Sequence, residues 1–344
     1  MNKNKILSIF DKSCDLNQNP PIWFLRQAGR HIPEYYSIRA RAKNFIEFCL
    51  NEDLIVESTI LPLKYYDIDA AIVFSDILMI PWAMKRNVDF IKNVGPIMSP
   101  MVPNETKILN NINICELMLP LSKALIALRK KIPNETSLIG FAGAPWTLAC
   151  YMIEGQSSKD FLLTRKAVWG SNIWFRELID TLTIYVADIL EMQANAGADI
   201  LMIFDSWSHM IPGHFFNDFG IEPTRNIINI LRKRKIFKPV IGFPFKAGTS
   251  LVDYSYKSNV DCVALDWTVD LNWASKNLNS NIVLQGNLDP ASLINNSGNL
   301  LNSVSSILKT MENKRFIFNV GHGLSPECSI NNIKKVIKYV KEYK

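Results

Sequence analysis

The chain has 344 residues, which suffice for one large domain or two small ones. Its hydrophobic share of 48% and charged share of 20% are those of an ordinary globular protein and exclude a disordered or fibrous chain. The net charge of +6 is small enough for a solvated basic surface to explain it, so no nucleic-acid partner is expected.

Targeting and redox signals indicate a cytoplasmic protein. The six cysteines are scattered singly, without a CxxC pair or a metal-like spacing, which is typical of reduced thiols. The first residues, "MNKNKILSIFDKSCD", contain an apolar run too short for the core of a secretory signal. No apolar run approaches the length that crosses a bilayer, so we expect no membrane partner.

Eight short apolar runs predict buried strands. In chain order they are "PIWFL" (21–25), "DAAIVF" (69–74), "SLIGFA" (137–142), "ADILMIF" (198–204), "KPVIGFPF" (238–245), "VDCVAL" (260–265), "NIVLQG" (281–286) and "RFIFNV" (315–320). Segments with helical spacing lie between them, such as 175–196, which ends before Gly197. Fully apolar strands that alternate with amphipathic helices indicate a parallel sheet covered on both faces.

Eight such units favour an α/β fold of the (β/α)₈ TIM barrel type, built as a single domain over residues 1–344. A doubly wound open sheet is the alternative, because short apolar runs cannot by themselves separate the two folds. Residues 91–113 carry three prolines without clear periodicity and are predicted to form irregular surface structure. In a barrel, active sites are assembled at the C-terminal ends of the strands, so the residues that end each run are the first candidates.

The first run is followed by a turn that contains two arginines. In "PIWFLRQAGRHIPEY" (21–35), Arg26 and Arg30 are four residues apart and Gly29 interrupts a helix, so a loop that turns both guanidinium groups inward is predicted. Such a fork suits carboxylates or phosphates. The alternative is a structural ion pair with Glu34 or another carboxylate.

The second and third runs lead to two further candidates. Asp76 follows a strand without polar residues and is either a reactive carboxylate or the N-cap of a short helical turn. Tyr151 lies in "GFAGAPWTLACYMIEG" (140–155), where a turn of small residues permits the close approach of a flat ligand. The alternative for Tyr151 is a core tyrosine with a satisfied hydroxyl.

Later runs end at Ser206, Lys246 and His322. Glycine on both sides of His322 leaves the imidazole little local packing, which favours a functional histidine over a core one. Lys246 has no flanking residue that would desolvate it for Schiff-base chemistry, and "FKAG" is expected to open a loop. The sequence has no GxGxxG after a strand, no GxxxxGK[ST] and no HExxH, so neither a nucleotide cradle nor a zinc site is indicated.

Four shorter motifs, "DAAIVFSDIL", "FDSW", "LQGNLDP" and "FNVGHG", occur in order with the two long segments quoted above. On these motifs the chain resembles the uroporphyrinogen decarboxylase family over nearly its whole length. The resemblance implies a distorted single-domain (β/α)₈ barrel that forms a homodimer. It also implies decarboxylation of the four acetate side chains of uroporphyrinogen III to coproporphyrinogen III and carbon dioxide, in haem biosynthesis, with no metal and no organic cofactor.

The resemblance implies site residues as well. Catalytic roles would fall on Asp76, Arg26, Tyr151 and His322. The substrate-binding residues would be Arg26, Gln27, Ala28, Gly29, Arg30, Arg39, Asp76, Phe141, Tyr151, Phe204, Ser206 and His322. Asp76 would hold the pyrrole N–H groups and stabilise positive charge that develops on the ring.

Two other functions remain open from the sequence. A corrinoid-related methyltransferase shares this barrel but needs thiolate and imidazole ligands for zinc, and Cys262 and Cys328 lie far from a paired histidine in the sequence. A tetrapyrrole carrier without catalytic activity would keep the arginines but would have no use for Asp76.

Overall fold

The computed structural model describes residues 4–91, 94–103, 105, 112–295 and 298–343. The strands are β1 Ala70–Ile72, β2 Asp89–Ile91, β3 Gly95–Ile97, β4 Ser137–Gly143, β5 Ile200–Asp205, β6 Val240–Pro244, β7 Cys262–Ala264, β8 Val283–Leu288 and β9 Phe316–Val320. Seven of them form one parallel sheet in the order β1-β4-β5-β6-β7-β8-β9, and β2 and β3 form a separate antiparallel hairpin.

The α-helices lie between and around these strands. They are α1 Lys5–Ile9, α2 Glu34–Arg39, α3 Phe45–Cys49, α4 Glu52–Tyr65, α5 Met79–Ala83, α6 Ile114–Leu117, α7 Leu119–Lys131, α8 Pro145–Glu154, α9 Leu162–Trp169, α10 Ile173–Asn195, α11 Glu222–Lys233, α12 Leu251–Lys257, α13 Leu271–Asn277, α14 Leu300–Thr310 and α15 Ile330–Lys341. Short 3-10 turns at Ser208–Met210, Gly213–Phe215, Gly248–Ser250 and Pro290–Leu293, and a π-helical turn at Asn217–Ile221, complete the described elements.

The first predicted run closes the sheet into a barrel. Ile22 forms a parallel bridge with Phe318 of β9. The Phe318 N–H donates to the Pro21 carbonyl at 2.9 Å, and the Trp23 N–H donates to the Phe318 carbonyl at 3.3 Å. On the other side the Asp69 N–H donates to the Ile22 carbonyl at 2.8 Å. Eight parallel positions therefore surround the core, which confirms the predicted barrel and excludes the open doubly wound sheet.

Helix α10 shows how the outer layer packs. It was predicted over 175–196 and spans Ile173–Asn195, and Gly197 follows with a left-handed φ of +112°. Its buried side chains recur every three or four residues, and that face packs against α8, α11 and β4. The sequence pattern thus predicts both the helix and its end.

The prediction for residues 91–113 was wrong at its start, because β2 and β3 pair as a hairpin there. Pro96 lies opposite Phe90, and a two-stranded ribbon tolerates proline because one side of each strand is unpaired. The segment then joins α8, since the Met98 N–H donates to the Gly155 carbonyl at 2.6 Å. Residues 92–93, 104 and 106–111 of the predicted segment lie outside the described residues.

Three aspartates repeat at the N-terminal ends of alternate barrel strands. Asp69, Asp199 and Asp261 each precede a strand by one residue, and each carboxylate accepts a backbone N–H of the neighbouring strand at 2.8 Å. The donors, in the same order, are Ile22, Leu138 and Val240. Each aspartate also has a cation within 4 Å, in order Lys341, Arg129 and Arg232. These anions fix the register at the end of the barrel opposite to the predicted site.

Candidate active site

The turn after the first strand places Arg26 at the mouth of the barrel. The Leu25 N–H donates to Asn319 Oδ1 and the Leu324 N–H donates to the Leu25 carbonyl, each at 2.9 Å, so strand β9 and the segment after it hold the turn from both sides. Arg26 is exposed and has a left-handed φ of +57°. Its side chain lies directly over Gly323, where an added Cβ would be only 2.6 Å from Arg26 Cγ.

In the rest of the loop, Gln27 holds the backbone in place and Arg30 is exposed. Gln27 is fully buried, and its side chain donates to the Ala70 carbonyl at 2.9 Å and accepts the Phe24 N–H at 3.1 Å, so it ties the loop to β1. Ala28 and Gly29 are half-buried beside it, and Arg30 is exposed.

The structural ion pair considered for the two arginines is not present. Glu34 instead accepts a hydrogen bond from the Tyr65 hydroxyl, which helps to hold the pKa of its carboxyl below the ordinary value. Within the described part of the chain, no carboxylate lies within 4 Å of Arg26 or Arg30. Both guanidinium groups are therefore available to an anionic ligand.

Asp76 follows β1, and the sequence predicts for it either a reactive carboxylate or the N-cap of a short helical turn. Its Oδ1 accepts the Leu78 N–H at 2.9 Å, so it does cap the turn before α5. No hydrogen-bond donor among the described residues meets its Oδ2. Burial raises the pKa of this carboxyl, while the Leu78 N–H and the charge of Arg26 oppose the rise. The described residues therefore leave Oδ2 open to a hydrogen-bond donor from a ligand.

A buried network fixes the turn that carries Ser206. Asp205, at the end of β5, accepts the Thr147 hydroxyl at 2.6 Å, and Thr147 Oγ1 accepts the Trp207 N–H at 3.0 Å. The turn is thereby joined to α8, and Ser206 is left half-buried at the end of the strand. Burial raises the pKa of Asp205 to about 7.

Tyr151 reaches the same region from α8. Its ring meets Trp207 edge-on at a centroid distance of 6.0 Å, and its side chain is half-buried. Burial raises the pKa of Tyr151 to about 12, with Asp76 and Arg26 close enough to act on it by their charges. The phenol is therefore protonated at neutral pH and can donate a hydrogen bond.

Aromatic rings form a wall at the C-terminal ends of β4, β5 and β6. Phe141 and Phe204, the two predicted apolar contacts, have centroids 5.4 Å apart, and Phe243 lies 6.2 Å from Phe204. His322 follows at 6.3 Å from Phe243, and Phe245 is 4.7 Å from the imidazole. The wall offers a broad apolar surface that ends in a nitrogen heterocycle.

The imidazole of His322 is neutral at pH 7. Burial, together with the positive charges of Arg26 and Lys246, lowers its pKa to about 4, while Asp266 acts in the opposite direction. The rings of Phe243, Phe245 and Trp267 lie around the imidazole, so its packing comes from residues distant in sequence, and a functional role for His322 stays a prediction. Lys246 was not predicted as a site residue, and the only sequence signal for it was its place at the end of the fifth run.

Arg39 is more peripheral than the other cations. Its guanidinium lies over the rings of Phe45 and Phe48, at 5.8 and 5.4 Å, and donates to the Ala42 carbonyl at 3.1 Å. Its charge acts, with that of Asp76, on the buried thiol of Cys49, whose pKa burial raises, and, with that of Arg30, on the phenol of Tyr35.

Four of the predicted residues come from four distant segments, and one of them lies within electrostatic reach of the other three. The charge of Arg26 acts on Asp76, Tyr151 and His322.

The family model of uroporphyrinogen decarboxylase (URO-D) matches residues 11–343.

The chain belongs to the uroporphyrinogen decarboxylase family.

Curated relatives named uroporphyrinogen decarboxylase agree with this membership. One from Rickettsia africae is 40% identical over 329 residues, covering 95% of this chain and 94% of the relative. One from Chelativorans sp. is 40% identical over 323 residues, covering 94% of each chain. The chain is therefore an enzyme, a decarboxylase of porphyrin biosynthesis, and the resemblance stated from its motifs is confirmed.

Solved structures show the fold alone. A methyltransferase from Methanosarcina mazei matches with a TM-score of 0.78 at 12% identity, over 98% of this chain and 97% of that one. A B12-independent methionine synthase from Shewanella sp. W3-18-1 matches with a TM-score of 0.51 at 13% identity, over 85% and 88% of the two chains. The barrel fold is thus shared with these two proteins.

Two further searches concern the described residues only. No three His, Cys, Asp or Glu side chains among them gather into a group that could hold a metal ion. No helix in that part of the chain has the length and apolar character needed to span a membrane.

Proposed function

We propose that the chain removes carbon dioxide from each of the four acetate side chains of uroporphyrinogen III and yields coproporphyrinogen III, as a cytoplasmic homodimer without a metal or organic cofactor. The observation that carries this proposal is the unpartnered Oδ2 of Asp76, which lies within electrostatic reach of the unpaired Arg26 at the mouth of the barrel. An anion beside a free cation suits a ligand that has N–H donors at its centre and carboxylates at its rim.

Binding follows from the shape and charge of the substrate. Uroporphyrinogen carries eight carboxylates around a flexible, apolar macrocycle. The wall that contains Phe141 and Phe204 would pack against the macrocycle, while Arg26 and Arg30 bind side-chain carboxylates. The side chain of Gln27 is occupied by backbone groups, so its contribution to binding would come from its backbone.

Asp76 would stabilise the charge that develops in the reaction. A proton adds to a pyrrole ring carbon, the C–CO₂ bond breaks, and its electron pair neutralises the cationic ring to leave an exocyclic methylene. A second proton then makes the methyl group while the ring carbon loses the first, so that each acetate takes up one proton and releases one carbon dioxide. A carboxylate held on the pyrrole N–H groups stabilises the cationic ring before the carbon–carbon bond breaks.

The other groups would orient the reacting carboxylate. Arg26, whose guanidinium has no carboxylate partner among the described residues, would bind the acetate and aim it. Tyr151 and Ser206 supply hydroxyl hydrogen bonds, and the neutral His322 supplies a ring N–H.

The decisive experiment replaces Asp76 by Asn, which keeps the shape and removes the charge. Purified protein is incubated anaerobically with uroporphyrinogen III, and the products are oxidised and separated by carboxylate number. We expect Asp76→Asn to bind the porphyrinogen but to lose roughly 10² to 10³ in turnover. Asp15→Asn is the matched control, because Asp15 also accepts the N–H of the second residue after it but is exposed.

The outcomes separate the enzyme from a carrier. Unchanged turnover in Asp76→Asn would refute the role of Asp76. Tight binding without any product from the wild-type protein would support a carrier and refute the decarboxylase. The dimer is tested by light scattering, where a mass twice the 39.2 kDa of the chain is expected.

A further inference from the structure

Lys246 occupies a backbone position that the fold holds firmly. It follows Phe245 at the end of β6 with a left-handed φ of +56°. Its N–H donates to Asp266 Oδ2 at 2.9 Å, and the other oxygen of this buried carboxylate accepts the Thr268 N–H at 2.9 Å. Asp266 is thereby engaged by two backbone donors, and the direction of the Lys246 side chain is set by the turn.

The ammonium group of Lys246 lies against the same rings that surround His322. Its Nζ is 5.2 Å from the centroid of Phe245 and 4.9 Å from that of Trp267. These two rings lie 4.7 and 6.0 Å from the imidazole of His322. Lys246 is exposed, and no carboxylate of the described residues lies within 4 Å of its Nζ. The charge is therefore positioned by aromatic rings and left without an anionic partner.

The topology places Lys246 across the mouth from Arg26. In the order around the barrel, the strand of Ile22 is the first position and β6 is the fifth of eight. Arg26 and Lys246 follow these two strands, and both have left-handed φ angles within a degree of each other. A ligand with carboxylates around its whole rim would meet an unpaired cation on either side.

On this geometry, and resting on the function proposed above, we propose that Lys246 binds one side-chain carboxylate of the porphyrinogen beside the imidazole of His322. The neutral imidazole of His322 donates a ring N–H to the same carboxylate. Lys246 thus helps to position the macrocycle, while Arg26 holds the acetate that reacts.

The test replaces Lys246 by Met, which keeps the apolar stem and removes the charge. We expect KM for uroporphyrinogen to rise about tenfold, while kcat stays within about twofold. Lys246→Arg is expected to restore most of the affinity, a rescue that loss of packing alone does not predict. Lys235→Met is the matched control, because Lys235 is also exposed with a left-handed φ of +63° but lies at the end of α11, away from the mouth. The proposal is overturned if Lys246→Met and Lys235→Met have the same KM.

Binding of the product shows whether Lys246 contacts an acetate or a propionate side chain. Coproporphyrinogen retains the four propionates and has lost the acetates, so its dissociation constant is measured anaerobically alongside that of uroporphyrinogen. Equal weakening of both ligands in Lys246→Met assigns a propionate to Lys246, and weakening of uroporphyrinogen alone assigns an acetate. Unchanged constants for both ligands overturn the proposal. These binding constants remain informative even if the wild-type protein shows no decarboxylation, an outcome that would refute the proposed function alone.

Discussion

Adding a single methyl group at Gly323 is expected to disable Arg26 without unfolding the barrel. A Cβ on Gly323 would lie 2.6 Å from Arg26 Cγ and 3.0 Å from its Nε, with Cδ nearer still. Ordinary contacts of a Cβ begin at about 3.4 Å, so the side chain must move by about 1 Å. Because the three nearest atoms all belong to one flexible and exposed side chain, we expect Arg26 to move and the backbone to stay in place.

The size of the effect follows from the role of the guanidinium. Charge-assisted hydrogen bonds contribute about 1.5–3 kcal/mol, so misplacing Arg26 is expected to lower kcat/KM roughly 10- to 150-fold. The Tm of Gly323→Ala should stay within a few degrees of the wild-type value. The assay is anaerobic decarboxylation of uroporphyrinogen, with Gly213→Ala as control, since a Cβ on Gly213 meets no atom within 4 Å.

A double-mutant cycle decides whether Gly323 acts through Arg26. If it does, Gly323→Ala adds no further loss to an Arg26→Ala protein, because the displaced group is already gone. Additive losses in the double mutant, or full activity in Gly323→Ala, would refute the reasoning. Gly321→Ala offers a contrast, since its Cβ would lie 2.8 Å from the backbone carbonyl carbon of Asp266 and so would strain the fold itself.

Three more outcomes are expected. Asp199→Ala removes the acceptor of the Leu138 N–H, so the free energy of unfolding in urea should fall by about 2 kcal/mol with kcat/KM unchanged; equal stability would contradict the structural role. The pKa of Asp205 in the folded protein is about 7, above its value in the unfolded chain. Between pH 4 and 7 the folded protein therefore keeps a proton that the unfolded chain releases, so the free energy of unfolding falls as the pH rises. Asp205→Asn should lack this component of the pH dependence, and parallel curves for the two proteins would count against it. The pKa of His322 is about 4 and should rise in Lys246→Met, because one of the cations that lower it is gone. An NMR titration of the imidazole measures this shift, and an unchanged pKa would place Lys246 away from His322.

The sequence predicts the barrel well because each strand is buried on both faces. Residues 138–142 and 200–204 of two predicted runs are apolar throughout, and β4 and β5 form where these runs predict strands. The first run behaves differently beyond Ile22. There the Phe24 N–H binds the Gln27 side chain and the Leu25 N–H binds the Asn319 side chain, so side chains replace the ladder hydrogen bonds that an apolar run alone would predict.

Local sequence predicts the site only in part. Arg26, Asp76 and His322 were predicted as site residues because each follows a strand run within a motif of the family. Lys246 also follows a run, yet nothing next to it in sequence indicates a role. Its position depends on Asp266 and Trp267, which come some 20 residues later, and no local pattern contains that contact.

The two ends of the barrel use aspartate for opposite purposes, and the number of donors explains the difference. Asp199 meets both the Leu138 N–H at 2.8 Å and Arg129 at 2.6 Å, so its charge is compensated within the chain and serves stability. Among the described residues Asp76 accepts a hydrogen bond only from the Leu78 N–H, and burial raises the pKa of its carboxyl. A ligand that brings N–H donors supplies the missing partners, favours the ionised form, and gains most when those donors carry positive charge. In the proposed mechanism, the incomplete compensation of its charge would allow Asp76 to favour a cationic pyrrole over a neutral one.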